Sequence, residues 1–184
     1  MSKIETLYEP IDAELFERFK YITVLVCDVD GVFSDGTILL GNQGEELKAF
    51  NTKDGYGIKA LSKIGVKVAV ITGRQSQIVE DRMQALNVEH IMQNREDKLV
   101  AINELIAQHG YSKETIASVG DDMPDIGMFS ASSVGIAVAD AHPFVKQQAT
   151  FVTSLPGGRG AVREICDIIL QAKGKLTDIH GASV

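Results

Sequence analysis

Four short apolar runs recur along the chain, and most of the stretches between them have helical periodicity. Runs of this length, rich in β-branched residues, are typical of strands covered on both faces in a parallel sheet. The predicted strands are 22–27, 66–71, 116–119 and 133–138, and the predicted helices are 57–64, 76–86, 99–109 and 162–172. This alternation predicts an α/β fold, a three-layer α/β/α sandwich around a Rossmann-like parallel sheet.

One segment interrupts that alternation between the first strand and the first helix. Residues 37–40 and 46–50 flank Gly41-Asn42-Gln43-Gly44, a sequence suited to the turn of a β-hairpin. We find no internal repeat or linker that would divide the chain. The expectation is therefore one domain over 1–184, with an N-terminal segment at 1–21, a hairpin insertion at 37–50 and a mobile tail at 176–184.

Composition narrows the classes of partner. The formal net charge of −7 argues against nucleic acid or an anionic membrane, since both require a basic face. The two cysteines, Cys27 and Cys166, lie in apolar stretches and are expected to be buried, reduced thiols. No apolar run reaches the roughly 18 residues that span a bilayer, and the first residues lack a secretory pattern. A cytoplasmic location is the resulting expectation.

A pair of carboxylates, Asp28 and Asp30, directly follows the first predicted strand. Ligands bind at the carboxyl ends of the strands in such sheets, so both side chains can face one pocket. Asp28 has the chemistry of a nucleophile and Asp30 that of a proton donor, and a divalent cation would offset their repulsion. A strand-end turn with helix-capping aspartates remains the alternative for this string alone.

Two further strand ends carry polar groups. Thr72-Gly73-Arg74 offers a hydroxyl and a guanidinium at a helix start, a combination that suits an anion. Lys98 opens an apolar helix, where its charge opposes the helix dipole unless it has a partner. Helix capping by Thr72, a surface ion pair for Arg74 and a solvated Lys98 are the alternatives.

A cluster of acidic residues follows the third predicted strand. Asp121, Asp122 and Asp125 follow Gly120 within five positions, which favours a hard-cation site with oxygen ligands. Capping of the next helix is the alternative for two of them. The four elements, taken together and in this order, make a purely structural role improbable.

In these motifs the chain resembles the haloacid dehalogenase superfamily, over roughly residues 22–175. The resemblance implies a phosphatase in which Asp28 is the nucleophile and Asp30 the general acid and base. It also implies that Thr72 and Lys98 bind the phosphoryl group. A Mg²⁺ ion would then be held by the Asp28 carboxylate, the Asp30 backbone carbonyl and Asp121, with Asp122 and Asp125 nearby.

The spacing of the motifs leaves no room for a cap domain, so the chain is similar to the capless members. Residues 28–36, 44–50, 54–58, 71–74, 138–143 and 157–164 resemble the 3-deoxy-D-manno-octulosonate 8-phosphate phosphatase family. That family acts in the cytoplasm of Gram-negative bacteria, in lipopolysaccharide biosynthesis, and is typically a homotetramer with active sites between subunits. For the sugar or its carboxylate, Arg74 is the first choice, because a guanidinium binds a carboxylate through two hydrogen bonds. Arg82 is a weaker candidate, with an exposed helix arginine as the alternative. Arg159 is a candidate to close over the substrate of its own or a neighbouring subunit, with a plain helix-entry turn as the alternative.

Two rival functions stay open at this point. One is a capless phosphatase of another keto-deoxy sugar acid phosphate, such as a nine-carbon one, with the same catalytic groups. The other is a non-catalytic scaffold that kept the fold. The presence of Asp28, Asp30, Thr72, Lys98 and Asp121 argues against the scaffold.

Overall fold

A six-stranded parallel sheet forms the centre of the computed structural model, which describes residues 2–178. Its strand order is β10-β9-β8-β3-β6-β7. The strands are β3 (Val24–Cys27), β6 (Lys67–Ile71), β7 (His90–Met92), β8 (Ile116–Gly120), β9 (Val134–Ala137) and β10 (Phe151–Val152). The predicted parallel sheet is confirmed, with each predicted strand within two residues of its observed start.

Helices cover both faces of this sheet. The helices are α1 (Ala13–Tyr21), α2 (Thr52–Lys63), α3 (Gln77–Ala85), α4 (Lys98–His109), α5 (Ile126–Ser130), α6 (Pro143–Gln148) and α7 (Ala161–Ala172). Successive side chains of a strand point to opposite faces. Leu25 and Cys27 accordingly pack in one apolar cluster with α1, α2, α3 and α7, and Val24 and Val26 pack in a second with α4 and α5. The expected three-layer α/β/α arrangement is thereby confirmed.

The ends of the helices follow from local capping. Helix α2 begins five residues before the predicted start, because the Asn51 side chain accepts a hydrogen bond from the amide of Lys53. Asp97 caps α4 in the same way through the amide of Val100. The helix ends at Gly110, whose left-handed φ of 66° suits a glycine.

Small elements complete the fold. The predicted hairpin is present as β4 (Leu39–Leu40) paired antiparallel with β5 (Glu46–Leu47), and its strands are shorter than expected. Sequence reasoning did not resolve α1, α5 and β10, nor the terminal pair β1 (Lys3–Ile4) and β2 (Ile11–Asp12). Short 3₁₀ turns lie at Lys113–Thr115 and Met123–Asp125. No cap domain interrupts residues 2–178, and most of the predicted tail lies outside the described residues.

Within the described part of the chain, no helix is both long enough and apolar enough to cross a bilayer.

Candidate active site

A cavity of about 520 Å³ opens at the carboxyl edge of the sheet. Asp28 follows β3, Thr72 follows β6 and Asp121 follows β8, so three adjacent strands each deliver one polar side chain to this edge. The main lining residues are Asp28, Asp30, Thr72, Arg74, Arg95, Glu96, Lys98, Asp121, Asp122 and Asp125. The motifs that are far apart in sequence therefore meet in one cavity.

Three carboxylates converge at the floor of the cavity. One oxygen from each of Asp28, Asp121 and Asp125 lies within 4.8 Å of the others. Burial, together with the charge of Asp125, raises the pKa of Asp28 to about 7. Burial, followed by the charges of Asp28 and Asp125, raises the pKa of Asp121 to about 8. This floor carries more negative charge than the side chains around it neutralise, which suits a divalent cation with oxygen ligands.

Lys98 supplies the positive charge at this floor. Its ammonium lies 2.8 Å from Asp28 Oδ1 and 2.5 Å from Asp125 Oδ1, and its side chain is 5% exposed. Burial opposes the charged form of Lys98, but the two carboxylates outweigh it and raise the pKa of the amine. The partner that a lysine at a helix start requires is therefore present, and the alternative of a solvated Lys98 is wrong.

Asp125 organises the acidic loop from inside. Its Oδ2 accepts hydrogen bonds from the amides of Asp121 and Asp122, at 2.8 and 3.1 Å. Gly31 takes a φ of 89°, and a β-carbon there would lie 2.1 Å from Asp121 Oδ2. Glycine at position 31 therefore lets the nucleophile loop turn and lets the Asp121 carboxylate approach it.

Asp30 lies at the side of the cavity, outside the three-carboxylate cluster. Its Oδ1 is paired with the ammonium of Lys48, which also lies 3.3 Å from Glu46 Oε1. Sequence reasoning missed Lys48 and Glu46, because the hairpin was interpreted only as an insertion. Their spacing of two, which places both side chains on one face of a strand, was the available signal.

Thr72 and Arg74 line the cavity just after the end of β6. Thr72 is 3% exposed and lines the cavity where β6 ends. Arg74 also lines it, is half exposed, and lies 4.0 Å from Glu46 Oε1, at the limit of an ion pair. Both residues are placed to meet an anion that enters from solvent. Arg95, which the sequence analysis did not select, lines the same wall and is paired with Glu104 at 2.9 Å.

The structure does not bring Arg82 or Arg159 into this cavity. Arg82 is half-buried on α3, and its Nε has no hydrogen-bond partner within residues 2–178. Arg159 is largely exposed, lies 3.5 Å from Asp35 and lines a separate groove of about 230 Å³. Their role as substrate ligands stays a prediction.

A glycine-rich loop supports the nucleophile loop from behind. The amide of Gly158 donates to the carbonyl of Val32 at 2.8 Å. A β-carbon on Gly157 would lie 1.7 Å from the carbonyl oxygen of Gly31, which leaves no space for a side chain. Contact between the two loops therefore depends on glycine at position 157.

Comparison with known proteins agrees with this geometry. A family model described as haloacid dehalogenase-like hydrolase matches residues 87–164, the part of the chain that includes Lys98, Asp121 and Asp125. The chain is 48% identical, over 98% of its length and 97% of the relative's, to the 3-deoxy-D-manno-octulosonate 8-phosphate phosphatase of Yersinia pestis.

Solved structures extend the match to three dimensions. The crystal structure of the Yersinia pestis phosphatase has a TM-score of 0.96, covering 100% of this chain and 99% of that one. The Moraxella catarrhalis phosphatase, solved with magnesium, phosphate and KDO, is 37% identical with a TM-score of 0.86, covering 89% of this chain and 94% of that one. By identity, coverage and fold, the chain belongs to the 3-deoxy-D-manno-octulosonate 8-phosphate phosphatase family of haloacid dehalogenase-like hydrolases.

Proposed function

We propose that this protein hydrolyses 3-deoxy-D-manno-octulosonate 8-phosphate to the free sugar acid and inorganic phosphate, a step of lipopolysaccharide biosynthesis. The observation that carries the proposal is the cluster of Asp28, Asp121, Asp125 and Lys98 at the ends of adjacent strands. Whole-chain identity to phosphatases of that name supports the choice of substrate.

A Mg²⁺ ion fits the floor of the cavity. The Asp28 and Asp121 carboxylates, with the backbone carbonyl of Asp30, are the groups that we propose to hold it. Asp125 would support this set by orienting the Asp121 loop and Lys98. When bound, Mg²⁺ neutralises charge between the Asp28 carboxylate and the incoming phosphate, so that the two anions can approach.

The reaction itself uses groups of the chain. A carboxylate oxygen of Asp28 attacks phosphorus, an O–P bond forms, and the P–O bond to the oxygen on carbon 8 of the sugar breaks. Asp30 gives its proton to the departing alkoxide, so the sugar leaves as an alcohol. Asp30 then takes a proton from water as that water attacks the aspartyl-phosphate, which releases phosphate and restores Asp28.

Phosphate and sugar would be held by different residues. We assign the phosphoryl oxygens to Thr72 and Lys98, which line the cavity beside Asp28. We assign the substrate carboxylate to Arg74, because a guanidinium can bind a carboxylate through two parallel hydrogen bonds. Arg159, which lies away from this cavity, would contribute by closing over the active site of a neighbouring subunit, and Arg82 remains a weaker candidate.

The test is release of phosphate from 3-deoxy-D-manno-octulosonate 8-phosphate, with and without Mg²⁺, beside a panel that includes a nine-carbon keto-deoxy sugar acid phosphate. We expect metal-dependent hydrolysis with a clear preference for the eight-carbon substrate. Equal rates across the panel would withdraw the substrate assignment, and no release from any compound would withdraw the phosphatase.

We also propose that the protein assembles as a homotetramer through its hairpins. Leu39, Leu40 and Leu47 are 57%, 72% and 62% exposed, which is a large apolar surface for so small a hairpin. In light scattering, Leu40→Glu should give a smaller species, whereas Leu7→Glu, at an exposed leucine outside the hairpin, should keep the wild-type mass. An unchanged mass for Leu40→Glu would contradict assembly through this surface.

The cytoplasm is the proposed location. Two buried cysteines, Cys27 and Cys166, remain as free thiols, which is consistent with a reducing compartment. Cell fractionation should recover the protein with a cytoplasmic marker, and recovery with a periplasmic marker would contradict the proposal.

A further inference from the structure

Lys48 is a lysine with a fully buried side chain and two acidic partners. Its side chain has no exposed surface, and its ammonium contacts Asp30 Oδ1 and lies 3.3 Å from Glu46 Oε1. A buried ammonium is unfavourable unless it is paired, so these contacts fix the position of the Lys48 side chain. The hairpin thereby inserts a charged group directly behind Asp30.

The contact leaves Asp30 with one anchored and one free carboxylate oxygen. Oδ1 is taken by Lys48, and within residues 2–178 no hydrogen bond engages Oδ2. Asp30 lines the cavity and Lys48 does not, so the lysine lies behind the carboxylate on the side away from the cavity. Rotation of the Asp30 side chain would break its contact with Lys48.

Glu46 balances the charge of the pair. It shares the Lys48 ammonium with Asp30, so Asp30 does not have to neutralise the lysine alone. Glu46 also lies 4.0 Å from Arg74. The four residues form a row of alternating charge, Asp30–Lys48–Glu46–Arg74, that runs from the proposed proton donor to the proposed carboxylate ligand.

We propose that Lys48 is the positioning residue of Asp30: it anchors Oδ1 so that Oδ2 faces the oxygen that leaves phosphorus. This inference rests on the proposed function, in which Asp30 protonates that oxygen. Lys48 acts through Asp30 and does not touch the phosphoryl group, which is held near Lys98 and Thr72. Lys48 should therefore matter in the first step only where the leaving group needs a proton. In the second step it should matter for every substrate, because Asp30 then takes a proton from the attacking water.

The test compares two substrates with different leaving groups. The sugar phosphate releases an alkoxide, which must be protonated, whereas 4-nitrophenyl phosphate releases a phenolate that is stable without a proton. For Lys48→Met we expect kcat on the sugar phosphate to fall roughly 10- to 100-fold, a part of what general acid catalysis contributes. Its KM should stay near the wild-type value. On the aryl phosphate, kcat/KM, which reports the steps up to release of the phenolate, should change by less than about threefold.

Three further variants serve as controls. Lys48→Arg keeps a cationic donor and should recover part of the lost kcat on the sugar phosphate. Lys67→Met removes an ion-paired lysine at the start of β6, the end of the strand opposite the cavity, and should leave both activities unchanged. In an Asp30→Asn background, Lys48→Met should have little further effect, because the residue through which it acts has already been removed.

Each outcome bears on a separate claim. Equal losses of kcat/KM on both substrates would overturn the inference, and so would full additivity with Asp30→Asn. Should Lys48→Met fail to fold, Lys48→Gln, which keeps a hydrogen-bond donor, would carry the same comparison. Failure of the wild-type protein to hydrolyse the sugar phosphate would instead overturn the proposed function and, with it, the role of Lys48.

Discussion

The Lys98 ammonium lies 2.8 Å from Asp28 Oδ1, with the two side chains only 5% and 9% exposed. A lysine from the start of α4 and a carboxylate from the end of β3 are thus held together in a buried setting. Because Lys98 also pairs with Asp125, it joins the proposed nucleophile to the acidic loop after β8. In the free protein the Lys98 ammonium compensates the charge of the two carboxylates. The same ammonium is the cation that we propose to bind the phosphate.

The first prediction concerns Lys98→Met. Loss of the ammonium removes a proposed phosphate ligand, and we expect kcat to fall by about 100-fold or more, as when a preorganised charge is removed from a site. It also leaves two buried carboxylates without a cationic partner, which should lower the free energy of unfolding by roughly 3–5 kcal/mol in the presence of a chelator.

Steady-state kinetics at saturating Mg²⁺ and urea denaturation with chelator would measure the two effects. Lys113→Met is the control, because Lys113 is exposed and bonded to the backbone of Ser130. A Lys98→Met protein with wild-type kcat would contradict the role assigned to this ammonium.

The second prediction separates the metal from the fold. Burial, followed by repulsion from Asp28 and Asp125, raises the pKa of Asp121 to about 8, so its ionised form destabilises the metal-free protein. In chelator at a pH above this value, Asp121→Asn should therefore unfold at a higher temperature than wild type. Added Mg²⁺ should raise the melting temperature of wild type and change that of Asp121→Asn little, because a binding ion stabilises the native state.

Calorimetric melting curves with and without Mg²⁺ give both comparisons. Asp178→Asn, at an exposed aspartate that pairs with Lys175 at the surface, should respond to Mg²⁺ like wild type. An equal Mg²⁺ response in Asp121→Asn would show that the ion binds elsewhere.

The third prediction concerns the support of the nucleophile loop. A methyl group in Gly157→Ala would meet the carbonyl oxygen of Gly31 at 1.7 Å, so one of the two loops must move. We expect kcat to fall at least about tenfold, because small misplacements of reacting groups are costly. Urea denaturation should also show a loss of stability of roughly 1–3 kcal/mol, as for other overpacked sites.

Gly65→Ala is the matched control for that change. Gly65 has a φ of 82° and open space around its α-carbon, so the added methyl strains the backbone without a clash. Roughly 1 kcal/mol of destabilisation with unchanged kcat is expected there. If the two variants had the same kcat, loop contact would not account for the glycine at position 157.

The fourth prediction is a pH dependence of stability that originates at Asp54. Burial raises the pKa of this carboxyl from 3.8 to about 6, and its Oδ2 has no hydrogen-bond partner in the described part of the chain. Between these two values the folded protein holds a proton that the unfolded chain has lost. The proton held by Asp54 therefore stabilises the folded protein at acidic pH, and this stabilisation is lost as the pH rises through about 6.

Urea denaturation across that window measures the effect as a difference between variants. Within this window, each pH unit should lower the free energy of unfolding of wild type by up to about 1.4 kcal/mol relative to that of Asp54→Asn. Asp81→Asn, at an exposed aspartate bonded to Gln77, should follow wild type. A constant difference between wild type and Asp54→Asn would contradict the raised pKa.

Sequence reasoning was most successful where a polar residue lies at the end of a predicted strand or at the start of a predicted helix. Asp28, Thr72 and Asp121 each follow a buried strand, and the convergence of parallel strand ends predicts that they meet. Lys98 was noted because its charge is unfavourable at a helix start without a partner, and it was assigned to the site by its order among the four motifs. The structure supplies the partner. These residues could be found from their place relative to strands and helices.

The rest of the site depends on contacts that no periodicity encodes. Lys48 reaches Asp30 because the hairpin folds back toward the cavity, and the sequence of its turn gives no sign of that direction. Arg82 has the right chemistry for an anion, but its position on α3 keeps its side chain out of the cavity. The start of α2 was displaced for a similar reason, since a single cap, Asn51, sets it.

The central claim is that Asp28 carries the phosphoryl group during turnover. Its most direct test is Asp28→Asn, assayed for phosphate release from 3-deoxy-D-manno-octulosonate 8-phosphate at saturating Mg²⁺. In parallel, the reaction is quenched with acid and the mass of the protein is measured by mass spectrometry. We predict no turnover and no phosphorylated protein in the variant, with a folded structure by circular dichroism, and a phosphorylated species in wild type. Substantial turnover by Asp28→Asn would contradict the mechanism.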